Sequence, residues 1–374
     1  MKKPIKVLFL PGDGIGQEVL REVRKVAEWF DDMTSLAFNI EEGYIGGTAY
    51  DRFGSPYPKE TKKQVHSADA VMLGAVGGPQ WANVGFECRP EQGLLDLRQD
   101  MSVYANFRPV FVFDSMKNVS SLKEEIVDGM DILIVRELAG GLYFGNPRGI
   151  EDLPNGDERG FNTATYTSAE VRAIAEVAFK AAMRGNKRVC SVDKANVLES
   201  MRVWRKAVNQ TAEKYPEVEL THMYVDNAAM QMVLNPRQFD VMLTPNLIGD
   251  VLSDLGAAMS GSLGMLPSAS LGDRKDDSYR WALYEPVHGS APDISGQNKA
   301  NPLAAILSFS MLLKHSLNQP KMAKGIVNAV KKVLEDGYRT PDIMHEGCKE
   351  VSCSEMGTII TKELGRFVRD DIAA

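Results

Sequence analysis

The 374-residue sequence is short of everything that would tie it to an oxidising compartment, a nucleic acid or a membrane. Its four cysteines, Cys88, Cys190, Cys348 and Cys353, form no Cys-x-x-Cys pair and have no zinc-like spacing to the five histidines. Neither a disulfide framework nor a structural zinc site is expected, and reduced thiols in a cytoplasmic protein are. No basic run exceeds Lys62-Lys63 or Lys331-Lys332, so tracking a phosphate backbone is excluded and no nucleic-acid partner is expected. The apolar run near the N-terminus ends at Leu10, before Pro11-Gly12, too early for a signal-peptide core. The longest apolar stretch, Leu303 to Leu313, is too short to cross a bilayer and contains Ser308 and Ser310. No membrane partner is expected either.

What remains is a globular mixture, 44% hydrophobic and 25% charged. At roughly 150 residues per domain the length predicts about two domains. There are 43 Lys plus Arg and 50 Asp plus Glu, a net charge of −7 with neutral histidines. Taken as a total, that charge discourages an anionic substrate.

Short β-branched or apolar runs alternate with helical periodicity, the pattern of an α/β protein. Strands are predicted at Val7–Leu10, Ala70–Leu73, Asp131–Val135, Arg188–Val192, Glu219–Val225 and Phe239–Leu243. Helices are predicted at Gly16–Phe30, Ala169–Arg184, Met201–Lys214, Gly249–Met259, Pro302–Leu317, Ala323–Leu334 and Glu355–Arg369. Thr167 with Glu170 and Ser352 with Glu355 have the spacing of capping boxes. Residues 260–301 read as a long irregular stretch, too apolar for a linker.

Gly12-Asp13-Gly14-Ile15-Gly16 follows a strand and opens a helix, but its last glycine falls one residue short of Gly-x-Gly-x-x-Gly. A tight strand-to-helix turn is the better reading. In Asn246-Leu247-Ile248-Gly249-Asp250-Val251-Leu252-Ser253-Asp254, two aspartates at i and i+4 share a helix face and can converge on a hard cation such as Mg²⁺ or Mn²⁺. An isolated pair of this kind is more often an exposed acidic face, yet the surrounding stretch is apolar. Asp226 is a third candidate ligand; alone it would read as a helix N-cap.

Arg136 ends an apolar strand and needs an anionic partner, with Glu137 or Asp131 the simplest choice. Arg98 and Arg108, taken singly, would be surface residues. Lys194 follows a strand, where α/β proteins place ligands. Beside a dication and arginines its ammonium form is disfavoured, which suits a general base. The Tyr143 phenol can donate a proton, although a packed aromatic in a glycine turn is commoner. Glu285-Pro286-Val287-His288-Gly289-Ser290-Ala291-Pro292-Asp293-Ile294, leading to Asn301-Pro302, is a polar loop running into an apolar helix. His288 can stack on or hydrogen-bond to an adenine there, and Asp293 can accept two ribose hydroxyls while repelling a 2′-phosphate.

Together these segments resemble the isocitrate and 3-isopropylmalate dehydrogenases, the β-decarboxylating dehydrogenase family. The likeness extends over nearly the whole chain, including Leu10–Gly16, Gly93–Arg98, Tyr104–Pro109, Leu133–Gly149, Ser191–Glu199, Met223–Met230, Asn246–Asp254 and Leu283–Asn301. It implies a two-domain α/β fold that is not a Rossmann fold. Domain one would comprise residues 1–105 plus 261–374, with the cofactor loop, and domain two residues 106–260, with the dimer contact and metal aspartates. The active site would lie in the cleft between the domains and close on binding.

By the same resemblance Arg98, Arg108 and Arg136 clamp substrate carboxylates, and Asp226, Asp250 and Asp254 coordinate Mg²⁺ or Mn²⁺, Asp226 also lying against the substrate. Lys194 and Asp226 would come from the neighbouring subunit of a homodimer with shared sites. Glu285, His288, Gly289, Ser290, Ala291, Pro292, Asp293, Ile294 and Asn301 would bind the cofactor. Asp293-Ile294 stands where NADP-using relatives carry Lys-Tyr, so NAD is expected. Lys194 would help remove the C2 hydroxyl proton as hydride passes to NAD⁺; CO₂ would then leave, and Tyr143 would protonate the enol carbon or assist its proton relay. Leu94, Leu95 and Val197 form an apolar pocket suited to an isopropyl group, so 3-isopropylmalate is the expected substrate, on the route to leucine. D-malate, tartrate, homoisocitrate and isocitrate are sister substrates, and a catalytically silent metal- and nucleotide-binding protein is the alternative outside enzymes. Gln17, Ile248 and Pro245 depart from the family pattern but remove no ligand, so activity should survive.

Overall fold

The computed structural model describes residues 4–274 and 280–368. The chain packs into two compact units, one of residues 1–103, 113–121 and 260–374 and the other of residues 104–112 and 122–259.

In the first unit the chain runs β1(Ile5–Gly12), α1(Gly16–Met33), β2(Phe38–Glu42), α2(Gly47–Phe53), α3(Lys59–Ser67), β3(Ala70–Ala75) and α4(Pro90–Asp100). Val7, Leu8, Phe9 and Leu10 of β1 are all buried, the mark of a strand covered on both faces. β1 pairs in parallel with β2 and β3. Later segments complete the sheet, because β12 (Arg280–Pro286) pairs in parallel with β3 and antiparallel with β11 (Pro267–Arg274).

The expected irregular stretch from 260 to 301 thus contains two strands. Its glycines and prolines hid them, as did Ser268 and Ser270, which are buried. Residues 275–279 of that stretch, and Arg369 at the end of the last expected helix, lie outside the described residues.

The apolar run Leu303 to Leu313 forms α10(Leu303–His315), buried on every side. It packs against α1, β11, β12 and α11(Pro320–Glu335), and α12(Cys353–Phe367) packs against α1 and α11. Among the described residues no helix is long and apolar enough to cross a membrane.

The second unit contains β4(Ala105–Phe111), α5(Glu124–Val127), β5(Asp131–Glu137), the hairpin β6(Gly149–Asp152) and β7(Glu158–Phe161), α6(Ser168–Ala182), β8(Arg188–Asp193), α7(Glu199–Ala212), β9(Glu219–Tyr224), α8(Val225–Leu234), β10(Val241–Thr244) and α9(Asn246–Ser260). Five of its strands lie in the order β4, β5, β10, β8, β9, parallel except between β4 and β5, and β6 and β7 pair antiparallel on their own. β4 contains Pro109, which is paired opposite Leu133.

Both expected capping boxes are formed. The Glu170 amide donates to Thr167 Oγ1 at 3.2 Å while the Thr167 amide donates to Glu170 Oε2 at 2.7 Å, and Ser352 and Glu355 repeat the arrangement. Each such cap is worth about 1 kcal/mol.

Candidate active site

The second unit gathers two arginines, two aspartates and a tyrosine. On β4, Asn106 and Arg108 are two residues apart and share a face. The antiparallel register sets Asn106 opposite Arg136 of β5, so all three side chains project to one side, beneath α9. Arg136 and Arg108 are both buried.

Asp250 of α9 is the centre of the cluster. Arg136 Nη1 donates to its Oδ1, Arg108 Nη1 lies 3.4 Å from the same oxygen, and the Tyr143 hydroxyl donates to Oδ2 at 2.8 Å. The simplest sequence-based partner for Arg136, Glu137 or Asp131, is not the one it takes. Asn246 accepts from Arg136 Nε and Nη2 at 3.1 and 2.8 Å, and Ser253 Oγ accepts from Arg108 Nη1 at 2.6 Å. Asn106 Oδ1 accepts from Arg108 Nε at 2.8 Å. These three orienting residues were not singled out from the sequence. For Asn246 and Ser253 a signal existed, since residues 246, 250, 253 and 254 fall on one helical face.

Burial, opposed by Arg108 and reinforced by the Asp250 charge, raises the Asp254 carboxyl. Burial first, then the hydrogen bond to Asp250, pushes the Tyr143 phenol up to about 12, so it remains a neutral proton donor. Asp250 and Asp254 offer oxygen ligands only, one turn apart, with a like-charge repulsion that a bound dication would relieve; this donor set fits Mg²⁺ or Mn²⁺. Among the described residues of one chain, however, no three His, Cys, Asp or Glu side chains converge as a metal site. Asp226 pairs instead with Lys194, Nζ to Oδ1 at 2.7 Å, and the Lys194 hydrogen bond lowers its carboxyl. Asp226 lies inside the first turn of α8, whose N-cap is Tyr224, so the N-cap reading is corrected.

Behind Arg136 lies Glu137, buried and raised by that burial from 4.5 to about 7, although the Ala139 and Gly140 amides donate to it. A carboxyl raised in the folded state loses stabilisation as pH climbs from its unfolded to its folded value. Glu137→Gln should therefore gain stability relative to wild type by up to about 3 kcal/mol between about pH 5 and pH 8. Urea unfolding at several pH values measures this, and a pH-independent difference would refute it.

In the first unit Arg98, on α4, is buried rather than on the surface, and its Nη2 donates to Glu285 Oε1 of β12 at 2.6 Å. Arg98 Nε is buried without a partner among the described residues, an unused donor suited to a carboxylate. Leu94 and Leu95 on the same helix are half-buried, whereas Val197, in the second unit, is exposed.

Burial lowers the His288 ring. Its Nδ1 donates to the Gly289 carbonyl at 2.9 Å, which leaves Nε2 an acceptor, and that atom is buried and unpartnered. Such an orphan fits the exocyclic amine of an adenine. Ser290 is buried, Ala291 and Ile294 are half-buried, and Gly289, Pro292 and Asp293 are exposed. Asn301 has a structural task, accepting from the Leu303 amide and donating to Asp342.

The sequence pattern of the isocitrate/isopropylmalate dehydrogenase family matches residues 6–360. The chain belongs to that family. A 3-isopropylmalate dehydrogenase from Paramagnetospirillum magneticum is 54% identical over 97% of this chain and 98% of its own length. One from Hydrogenovibrio crunogenus is 53% identical over 96% and 99%. Among solved structures, isocitrate dehydrogenase from Methylococcus capsulatus has a TM-score of 0.85 at 31% identity, covering 96% of this chain and 99% of that one. A β-decarboxylating dehydrogenase from Thermococcus kodakarensis has a TM-score of 0.76, also at 31% identity, with 99% of each chain covered. Residues 12–16 form the expected strand-to-helix turn, with Gly12 and Gly14 at φ of +68° and +53°.

Proposed function

We propose that the protein is an enzyme of leucine biosynthesis that converts (2R,3S)-3-isopropylmalate to 4-methyl-2-oxopentanoate and CO₂ with reduction of NAD⁺. The carrying observation is the 54% identity to a 3-isopropylmalate dehydrogenase over almost the full length of both chains.

Arg98, Arg108 and Arg136 bind the substrate carboxylates, and Leu94, Leu95 and Val197 receive the isopropyl group. Apolar side chains there penalise the third carboxylate of isocitrate, because an unpaired buried charge is costly. Glu285 and the loop through His288, Gly289, Ser290, Ala291, Pro292, Asp293, Ile294 and Asn301 hold NAD; the exposed Asp293 carboxylate disfavours a 2′-phosphate. Asp226, Asp250 and Asp254 hold Mg²⁺ or Mn²⁺. When bound, the dication would supply Lewis-acid chemistry and the nicotinamide a hydride acceptor.

Lys194 takes the C2 hydroxyl proton. Tyr143, kept as a neutral phenol, returns a proton to the enol carbon after CO₂ departs. The three guanidiniums hold the carboxylates in orientation throughout, so that little reorganisation accompanies each step.

A homodimer accounts for the separation of Lys194 and Asp226 from Asp250, each subunit lending that pair to its neighbour. Residues 106–260 carry the contact in this reading. Met230, Leu234, Leu247 and Val251 expose apolar surface on α8 and α9, which supports it. Residues 1–105 and 261–374 carry the cofactor loop, and the site of action is the cytoplasm.

NADH formation with 3-isopropylmalate, D-malate and isocitrate, with and without Mg²⁺ or Mn²⁺, tests the assignment. We expect kcat/KM to favour 3-isopropylmalate by about a hundredfold or more. Faster turnover of isocitrate or D-malate would defeat the substrate assignment, and turnover without a divalent cation would defeat the aspartate set.

A further inference from the structure

We propose that Glu18 is a positioning residue for the dinucleotide: with the Ile15 amide it anchors the loop between Glu285 and Asn301, while Asp13 fixes the turn from which both project. This rests on reading residues 285–301 as the nucleotide loop.

Asp13 is buried, and its carboxylate accepts from the amides of Gly47 at 2.8 Å, Thr48 at 2.7 Å and Gly77 at 2.8 Å, and from Thr48 Oγ1 at 2.5 Å. Its own amide donates to the Ala75 carbonyl at 2.8 Å. One side chain thus ties the turn at residues 12–16 to the starts of two other segments. From this turn the Ile15 amide donates to the Ser290 carbonyl at 2.9 Å. A Cβ on Gly14 would lie 2.0 Å from that carbonyl oxygen, so turn and loop meet backbone to backbone.

Glu18, buried in the first turn of α1, accepts from the Gly296 amide through Oε1 at 2.5 Å. Its Oε2 is buried without a hydrogen-bond partner among the described residues. A half-used buried carboxylate is expensive if packing alone is required, so what it returns is the fixed place of Gly296. The far end of the loop is held separately, since Asn298 Oδ1 accepts from the Ser354 amide at 2.9 Å and its carbonyl accepts from the Cys353 amide at 2.8 Å.

Within this anchored loop Ala291 and Asn298 have φ of +39° and +56°, values that side-chain-bearing residues rarely adopt. A loop bent in this way must be held by its surroundings. Releasing Gly296 frees the segment that carries Asp293 and Ile294, and the cost falls on cofactor binding rather than on the chemical step.

The test uses the full-length protein and three variants, Glu18→Ala, Glu18→Gln and Asp13→Asn. NADH affinity is read by fluorescence titration without substrate, alongside KM for NAD⁺, kcat and thermal unfolding. Glu18→Ala should weaken NADH binding and raise KM for NAD⁺ by about tenfold with kcat changed less than about threefold. Glu18→Gln keeps the acceptor for Gly296 and should restore affinity to within about twofold of wild type. Asp13→Asn should follow Glu18→Ala; if it does not fold, the Glu18 pair still decides.

NADH affinity unchanged in Glu18→Ala overturns the proposal. Equal losses in Glu18→Ala and Glu18→Gln overturn it as well, because charge and not the acceptor would then matter. A wild-type protein that fails to bind NADH removes the nucleotide-loop reading itself, whereas tight wild-type binding with equally tight Glu18→Ala binding removes only the anchoring role.

Discussion

Asp250→Asn should lower kcat/KM for 3-isopropylmalate by about a thousandfold, on the order of 4 kcal/mol of transition-state stabilisation. Three donors converge on the Asp250 carboxylate, the guanidiniums of Arg136 and Arg108 and the hydroxyl of Tyr143. Asparagine keeps the volume but turns an anion with two acceptor oxygens into a neutral group with one. With its oxygen kept toward the two guanidiniums, its amide nitrogen takes the Oδ2 position, where Tyr143 can no longer donate. The proposed cation site loses a unit of charge at the same position, which weakens the hold on Mg²⁺ or Mn²⁺. Two buried guanidiniums also lose their nearest counter-charge, so the melting temperature falls. Steady-state kinetics at saturating Mn²⁺, with calorimetry on the same sample, separates the two losses. A kcat/KM within tenfold of wild type would take Asp250 out of the reaction.

Gly249→Ala should also cost activity, by a smaller factor and through packing. A Cβ on Gly249 would lie 2.3 Å from Thr244 Oγ1 and 2.8 Å from Arg136 Cβ. Thr244 and Arg136 are both buried, on β10 and β5, so neither has room to retreat. Either α9 lifts from the sheet or both strands shift. Overpacking of this kind costs about 3 kcal/mol. Because Asn246 and Asp250 flank the glycine on α9, the helix cannot move without breaking their hydrogen bonds to Arg136. The expected outcome is a reduced melting temperature together with about a hundredfold loss of kcat/KM. Gly160→Ala, where a Cβ meets nothing within 4 Å, is the control and should behave as wild type. A Gly249→Ala protein with wild-type melting and kinetics would disprove the close approach.

Local signals gave much of the fold away. The helix starts at Thr167 and Ser352 were legible because two side chains four positions wide satisfy their own amides, independent of the rest of the molecule. The strands β11 and β12 were not, because their place depends on pairing with β3, distant in sequence, and their buried serines mimic a loop. In the candidate site, charge made Arg108, Arg136, Asp250 and Asp254 visible. Their orienting neighbours Asn106, Asn246 and Ser253 are uncharged and of common type, and only strand register and helical phase bring them into contact. The net charge of −7 misled in the same way. A sum over the chain does not register two guanidiniums buried side by side.

The first unit is built from both ends of the chain, with α1 packed against α10 and α12 and β3 against β12. On the ribosome this inverts the order of completion. The first 103 residues emerge without the helices and strands that cover them, and at roughly 5–20 residues per second they wait tens of seconds for the C-terminal segments. The second unit, nearly continuous in sequence, has all its strands available well before then. The N-terminal segment of the first unit therefore precedes the second unit in synthesis but is sheltered after it. During that interval the run from Val7 to Leu10 of β1, buried in the folded protein, is left uncovered, the kind of apolar segment that invites aggregation.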